Sequence, residues 1–221
     1  MKLLISALTK YLAGLLLVGL LLFLPAGTLY YPGGLLFCGL LFIPMLILGI
    51  VLFIKAPALL EKRLRSREDQ TAQKQVVGLS SLMFLAGFIL AGLDFRFDWT
   101  TVSSGGVTAA SILLLVSYGL YAEVMRENIW LSRTVEVQEG QVVVDTGLYG
   151  IVRHPMYAVT ILLFLSMPLV LGSWISFGVF LIFPLLMVKR IRSEEILLEA
   201  ELPGYRDYQK KVRYRLIPFI W

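Results

Sequence analysis

Two clusters of ionisable and aromatic residues lie where this apolar chain could build a polar site. The first is the segment Gly147–Tyr157, which holds the only histidine of the protein, His154. The second is Lys189–Glu195, at the end of the last long apolar run. Ionisable groups at a membrane border are unfavourable unless they face water, lipid headgroups or a polar ligand. Because one apolar hairpin separates the clusters, they could close on a single site.

The residue types in both clusters suit the binding of a small charged molecule. Pro155 is typical of the first helical turn, where its missing N–H costs nothing. The free N–H groups of such a turn, with the positive end of the helix dipole, can hold an anionic group. Glu194 and Glu195 are adjacent, so on a helix their side chains point about 100° apart. One could face a pocket while the other pairs with a nearby arginine, and a carboxylate dyad is not expected.

Other chemistries are excluded by composition. One histidine and one cysteine are too few and too far apart for a metal site, and no Ser-His-Asp set is present. The net charge of +5 could indicate nucleic acid, but the basic residues lie beside apolar runs. That pattern is typical of membrane topology and of contact with anionic headgroups. We therefore expect membrane lipids as partners, and no metal ion and no nucleic acid.

The composition is that of an integral membrane protein. The 221 residues are 58% hydrophobic and 16% charged, with a mean hydropathy of +0.80, whereas soluble domains are about 45–50% apolar and about 25% charged. A spanning helix needs about 20 apolar residues. Five apolar runs approach or exceed this length: Tyr11–Leu24, Leu35–Ile54, Val76–Leu93, Val107–Ala122 and Ala158–Val188.

The last of these runs is too long for one helix. It is interrupted at Gly172-Ser173-Trp174, which predicts a hairpin of two short helices. We therefore predict an all-α integral membrane protein with about six transmembrane helices, five being the alternative, and a C-terminal helical hairpin.

Basic loops alternate with loops of little positive charge. Lys55–Gln75 and the segments that follow Ala122 are rich in Lys and Arg, whereas Pro25–Gly34 carries no charge and Asp94–Gly106 a single basic residue. The positive-inside rule then predicts that both termini and both polar clusters lie in the cytosol.

The order of motifs resembles a known family. Gly-x-Tyr-x-x-x-Arg-His-Pro-x-Tyr, an apolar hairpin, Glu-Glu, Tyr205-x-x-Tyr208 and Leu216-Ile217-Pro218-Phe219 resemble the isoprenylcysteine carboxyl methyltransferase family and its bacterial relatives. Phospholipid methyltransferases share a weaker version of the pattern. The resemblance covers roughly Glu127 to the C-terminus. It implies an S-adenosyl-L-methionine-dependent methyltransferase with its active site on the cytosolic side, and we expect a prokaryotic cytoplasmic membrane.

This resemblance also implies a domain plan. We expect one integral membrane domain over residues 1–221, in which 1–126 form N-terminal transmembrane helices and 127–221 form the methyltransferase-like catalytic region, with a cytosolic cofactor-binding loop and tail. In the polar stretch Glu127–Thr146, several valines predict some strand character, and Glu139-Gly140 predicts a turn.

Site residues follow from the same resemblance. Glu195 is preferred to Glu194 as the donor ligand, and Arg192 to Arg190 as the guanidinium that orients an anionic acceptor. Arg192 and Glu195 are the implied catalytic residues. The methyl-donor pocket is implied to be lined by residues of the loop, the Arg-His-Pro motif and the Glu-Glu pair: Gln138, Gln141, Val142, Val143, Val144, Tyr149, His154, Pro155, Met156, Tyr157, Glu194 and Glu195.

The implied reaction is carboxyl O-methylation of an isoprenylcysteine-type, lipid-like acceptor. N- or S-methylation of a phospholipid or small amphiphile is one alternative. A sterol-reductase-like oxidoreductase is another, and it would require basic or polar ligands for the phosphates of a nicotinamide. A non-enzymatic transporter or scaffold would place ionisable residues near mid-membrane, whereas the predicted spans are almost free of charge. No glycine-rich fingerprint follows a strand, so a soluble-type methyltransferase fold is excluded.

Overall fold

The computed structural model describes residues 2–64, 71–132 and 136–221, which form helices joined by loops. The helices, in chain order, are α1 (Lys2–Ala26), α2 (Pro32–Lys55), α3 (Pro57–Leu64), α4 (Thr71–Phe97), α5 (Ser104–Glu127), α6 (Pro155–Val170), α7 (Trp174–Phe180), α8 (Ile182–Glu201) and α9 (Tyr205–Lys211), with one 3-10 turn at Gly147–Gly150.

Among the described residues, five helical segments are long and apolar enough to cross a membrane, namely α1, α2, Lys74–Phe97 of α4, α5, and the continuous Trp174–Glu201. Helix α6 has 16 residues, and is therefore about 24 Å long against a hydrocarbon core of about 30 Å. It pairs with α7 and α8 as the predicted C-terminal hairpin. The all-α integral membrane prediction is confirmed, and the sixth predicted span is the short helix α6.

The hairpin tip is fixed to the end of α4. Gly172 has a φ of +84°, which favours glycine at this turn. The buried carboxylate of Asp94 accepts a hydrogen bond from the Thr100 N–H at 2.7 Å and another from the Ser173 hydroxyl. Ser173 in turn caps α7, because its side chain accepts from the Ser176 N–H at 3.0 Å. The end of the bundle opposite to the polar clusters is therefore closed by side chains.

Two glycines of α4 allow neighbouring elements to approach its backbone. A Cβ at Gly92 would lie 2.5 Å from the Leu22 carbonyl oxygen of α1. A Cβ at Gly87 would lie 2.3 Å from the ring of Phe180. Because real Cβ atoms do not make such contacts, larger residues at either position would push the helices apart.

The polar stretch before α6 is a loop. Val142, Val143 and Val144 belong to neither a helix nor a strand, so the predicted strand character is wrong for them. A strand needs a neighbouring strand for its backbone groups, and the described residues offer none here. The predicted turn is confirmed, since Gly140 has a φ of +73° and the Gln141 N–H donates to the Gln138 carbonyl at 3.0 Å. Residues 133–135 lie outside the described part of the chain.

Candidate active site

One cavity of about 680 Å³ begins at the end of the bundle that carries both polar clusters, which we call the site end. Its polar part is lined by Gln141, Tyr149, His154, Tyr157, Arg190 and Glu194, among others. Its deeper part runs between helices and is lined by apolar residues, including Leu41, Met45, Val77, Phe84, Phe164 and Phe183. We call this deeper part the apolar arm. The two clusters predicted to meet therefore do so, at the mouth of a cavity that enters the membrane region.

The chain enters α6 under the C-terminal tail. The Arg153 N–H donates to the Tyr214 carbonyl and the His154 N–H to the Arg215 carbonyl, both at 2.9 Å. The Arg153 guanidinium also donates to the carbonyls of Val212 and Arg213, at 2.9 and 2.8 Å. The tail thus holds the Arg-His-Pro motif in place by both backbone and side-chain hydrogen bonds.

The carboxylate of Glu195 is buried beneath this motif. Its Oε2 accepts from Arg215 Nε at 2.7 Å, and its Oε1 lies 3.3 Å from His154 Nε2. Arg153 makes two further contacts with Oε1. Glu195 does not line the cavity. The spatial acidic partner of His154 is therefore Glu195, and the preference for Glu195 over Glu194 as a donor ligand stays a prediction that the geometry does not favour.

Glu194 lines the cavity instead. It accepts a hydrogen bond from the Tyr157 hydroxyl, and that hydroxyl accepts one from Arg190 Nε at 2.9 Å. The Arg190 guanidinium also lies over the Tyr157 ring, 5.7 Å from its centroid. Arg190 and Glu194 are four residues apart, which places them on one face of α8.

Arg192 points away from this group. It is exposed and does not line the cavity. Two residues apart on a helix are separated by about 200°, so the cavity can be faced by Arg190 or by Arg192 but not by both. The family resemblance implies Arg192 as the acceptor-side residue, whereas Arg190 is the one that lines the cavity. The roles themselves stay predictions.

Of the other residues that the resemblance implies for the donor pocket, some line the cavity and others do not. Gln141 and Val142, Val143 and Val144 line the cavity, and Met156 does so from α6. Pro155 occupies the first position of α6 and does not line it. Gln138 does not line the cavity. Its side-chain amide donates to the Trp130 carbonyl at 2.6 Å, and its backbone N–H donates to the Gln141 side chain at 2.9 Å.

Helix α3 brings two cations to the same loop. Lys62 donates to the side-chain oxygen of Gln138 and lies over the Trp130 ring, 5.5 Å from its centroid. Arg63 lines the cavity and donates to the Tyr121 hydroxyl. In the sequence, both cations indicate only the topology of the loop that carries them. The sequence of an amphipathic stretch with adjacent Lys and Arg does not indicate which distant loop the stretch contacts. Residues 65–70, which follow α3, lie outside the described part of the chain.

Three buried tyrosines complete the polar part. The Tyr208 hydroxyl donates to the Tyr149 carbonyl at 2.7 Å. Tyr205 also lines the cavity, and within the described residues its hydroxyl is buried without a hydrogen-bond partner. Burial raises the pKa of Tyr149, Tyr205 and Tyr208 above its usual range, so all three hydroxyls are protonated at neutral pH. The Tyr208 proton is already donated to Tyr149, whereas the Tyr205 hydroxyl can donate to a ligand.

Comparisons with known proteins point to the same region. Residues 109–200 match the model of the Isoprenylcysteine carboxyl methyltransferase (ICMT) family. Delta(14)-sterol reductase TM7SF2 of Mus musculus is 31% identical over 91 residues, which are 40% of this chain and 22% of that relative. The chain therefore aligns with less than a quarter of the relative's length. The family match includes the Arg-His-Pro motif and the Glu-Glu pair, but neither α3 nor the C-terminal tail.

Proposed function

We propose that this chain, whose residues 109–200 match the isoprenylcysteine carboxyl methyltransferase family model, is a member of that family and uses S-adenosyl-L-methionine to methylate a lipid-like acceptor. The proposed reaction is carboxyl O-methylation of an isoprenylcysteine-type molecule. The observation that carries this proposal is the form of the cavity, whose polar part lies between the two motif clusters and whose apolar arm enters the membrane region. Such a cavity suits one polar and one apolar reactant together.

The polar part fits the methyl donor. Its carboxylate, Glu194, suits the amino group, the ribose hydroxyls or the positive sulfonium of S-adenosyl-L-methionine. The Tyr205 hydroxyl is a buried donor without a partner among the described residues, and a polar ligand would satisfy it. When bound, the donor would supply an electrophilic methyl group. His154, Gln141 and Tyr149 would hold it from the motif and loop sides of the cavity.

Methyl transfer to the acceptor depends more on alignment of the two reacting groups than on proton transfer. A carboxylic acid has a pKa of about 4, so an acceptor carboxylate is already ionised at neutral pH. Its oxygen forms the new bond to the methyl carbon as the carbon–sulfur bond breaks, and no proton has to move. Arg190 would orient this carboxylate through its planar guanidinium. The apolar arm would exclude water from the reacting groups.

A neutral amine or thiol acceptor is the alternative within the same class. It would not require a guanidinium beside the reacting atom, so its rate would be less sensitive to Arg190 than the rate with a carboxylate.

A reductase is the second candidate, because the aligned relative is named as a sterol reductase. The phosphates of a nicotinamide would need several cationic ligands. The cavity is lined by Arg63, Arg153 and Arg190, but the Arg153 guanidinium already contacts Glu195 and two tail carbonyls. This candidate predicts tight binding of a reduced nicotinamide.

We also propose that the site end faces the cytosol. Lys55, Lys62, Arg63, Lys189 and Arg190 lie at or near this end, whereas the connection from Gly27 to Tyr31 at the other end is uncharged. An excess of Lys and Arg marks cytosolic loops. S-adenosyl-L-methionine would then reach the polar part from the cytosol.

Calorimetric titration of the detergent-solubilised protein tests the proposal. We expect heat of binding with S-adenosyl-L-methionine and none with reduced nicotinamides. Glu194→Gln should weaken donor binding roughly ten- to a hundredfold, the equivalent of about 1.5–3 kcal/mol for a charged hydrogen bond. Glu199→Gln is the matched control, since Glu199 is exposed on the same helix. If a reduced nicotinamide binds and S-adenosyl-L-methionine does not, the proposed methyltransferase activity is wrong and the reductase is favoured.

A further inference from the structure

Three phenylalanines from three different helices meet near the deep end of the apolar arm, which Met167 of α6 also lines about one turn beyond Phe164. Phe84 of α4 and Phe183 of α8 are the cavity-lining residues of their helices that lie farthest from the site end. Phe164 of α6 lies between them, with ring centroids 4.8 Å from Phe84 and 4.7 Å from Phe183. Pairs at this separation and tilt are favourable beyond their burial. We call these three residues the aromatic wall.

The aromatic wall is supported from behind. The ring of Phe180, which is fully buried and does not line the cavity, lies 5.3 Å from that of Phe84. Phe88 lies 5.8 Å from Phe84 and 5.9 Å from Phe180. Phe180 itself is packed against the backbone of Gly87, where there is no room for even a Cβ. Protein interiors this dense do not yield to an extra group without a penalty, so the ring of Phe84 cannot retreat.

The distance from the reacting end to the wall is the same along two helices. Tyr157 and Phe164 are seven residues apart on α6, and Phe183 and Arg190 are seven residues apart on α8. At 1.5 Å per residue, both intervals correspond to about 10 Å. The Tyr157 hydroxyl and Arg190 are hydrogen-bonded to each other, so the polar end of this interval is one site.

We propose that the aromatic wall is a ruler that limits the length of the acceptor's apolar chain. This inference rests on the proposed function, because it assumes that the reactive end of the acceptor lies beside Arg190 and Tyr157. A chain shorter than the arm leaves apolar surface uncovered. A chain that fills the arm ends against the wall and Met167, and a longer one has to displace these buried side chains or withdraw its reactive end from Arg190.

A homologous series of N-acetyl-S-(n-alkyl)-cysteines tests the ruler. For the wild-type protein, kcat/KM should rise about fourfold for each added methylene, from about 0.8 kcal/mol per buried CH₂, until the chain meets the wall. Beyond that length it should fall by roughly tenfold, as overpacking predicts. The readout is transfer of labelled methyl from S-adenosyl-L-methionine to each member of the series.

Two kinds of variant should move the optimum in opposite directions. Phe164→Leu and Phe183→Leu remove ring volume from the wall and should shift the optimum to longer chains. Thr160→Leu should shift it to shorter chains, because Thr160 lines the cavity one turn nearer the site end than Phe164. Phe42→Leu is the control. Phe42 is also buried, but it lies on α2, does not line the cavity and contacts the ring of Tyr11, so the optimum should be that of the wild type.

The outcomes separate the ruler from the proposed reaction. If the wild type methylates none of the series, the proposed acceptor is wrong, and thermal stabilisation of the protein by the same probes decides whether chain length is still limited. If Phe164→Leu and Phe183→Leu keep the wild-type optimum, the ruler is overturned. It is also overturned if Phe42→Leu shifts the optimum as far as the wall variants do. A variant that fails to fold leaves the Thr160→Leu shift as the deciding result.

Discussion

Glu195 and Arg153 form a buried ion pair in which Nε and Nη2 of the arginine both lie 2.8 Å from Oε1 of the glutamate. The same arginine contacts two carbonyls of the C-terminal tail. The pair therefore joins α8, the start of α6 and the tail, which are far apart in sequence. A residue implied to be a ligand for the methyl donor is, by its contacts, one that holds the walls of the site together.

This relationship predicts a stability effect for Glu195. Glu195→Ala leaves Arg153 buried without its carboxylate, and loss of one partner of a buried pair lowers the free energy of unfolding by about 3–5 kcal/mol. Glu199→Ala, on an exposed position of the same helix, should change it little. Thermal unfolding of both variants in the same detergent is the measurement. Equal melting temperatures would show that the pair contributes nothing to the fold.

The second prediction concerns the two arginines at the end of α8. Arg190→Ala should lower turnover roughly ten- to a hundredfold, the equivalent of about 1.5–3 kcal/mol for a charged hydrogen bond to the acceptor. Arg192→Ala should lower it less than twofold, since Arg192 is exposed outside the cavity. Donor affinity and methylation rate are measured on the same preparations. If Arg192→Ala lowers turnover more than Arg190→Ala does, Arg192 is the residue that orients the acceptor, as the family resemblance implies.

The third prediction compares two tyrosine hydroxyls. Tyr205→Phe should weaken donor binding by about 0.5–1.5 kcal/mol, or roughly two- to tenfold, without destabilising the protein in the absence of donor. The reason is that the Tyr205 hydroxyl is buried and has no partner among the described residues. Tyr208→Phe should instead lower the free energy of unfolding by about 1 kcal/mol, because it loses the bond to the Tyr149 carbonyl. Unchanged donor affinity in Tyr205→Phe would contradict this assignment.

The fourth prediction concerns α3, which lies outside the region matched by the family. Lys62 contacts both Gln138 and Trp130 of the loop, so Lys62→Ala should loosen the loop and weaken donor binding by about 1 kcal/mol, or roughly fivefold. Lys55→Ala removes an exposed cation at the end of α2 and serves as the control. Titration calorimetry compares the two. Equal donor affinities of Lys62→Ala and Lys55→Ala would mean that the contacts of α3 with the loop do not contribute to donor binding.

The fifth prediction concerns orientation in the membrane. In a Cys38→Ala background, an impermeant thiol reagent should label Ser104→Cys in intact cells and should label Lys210→Cys only after permeabilisation. Both positions are exposed, Ser104 at the first residue of α5 and Lys210 in α9 at the site end. The reverse pattern would place the site end outside the cytosol.

The amino-acid sequence by itself determined the membrane class, the C-terminal hairpin and the meeting of the two polar clusters. Long apolar runs have to be helical in a bilayer, since backbone groups there have no water to bond with. A hairpin returns the chain to the side from which it started, which brings residues 153–157 and 190–195 to one end of the bundle. These conclusions need only composition, segment length and chain order.

Only the tertiary structure decided which member of each neighbouring pair faces the cavity. Rotation of α8 about its axis is set by packing against α4 and α6, and it directs Arg190 and Glu194 into the cavity while Glu195 enters the buried network under the tail. Likewise, the contacts between α3 and the loop join residues from distant segments, and so does the aromatic wall. Their side chains meet through helix packing, which no local spacing in the sequence encodes.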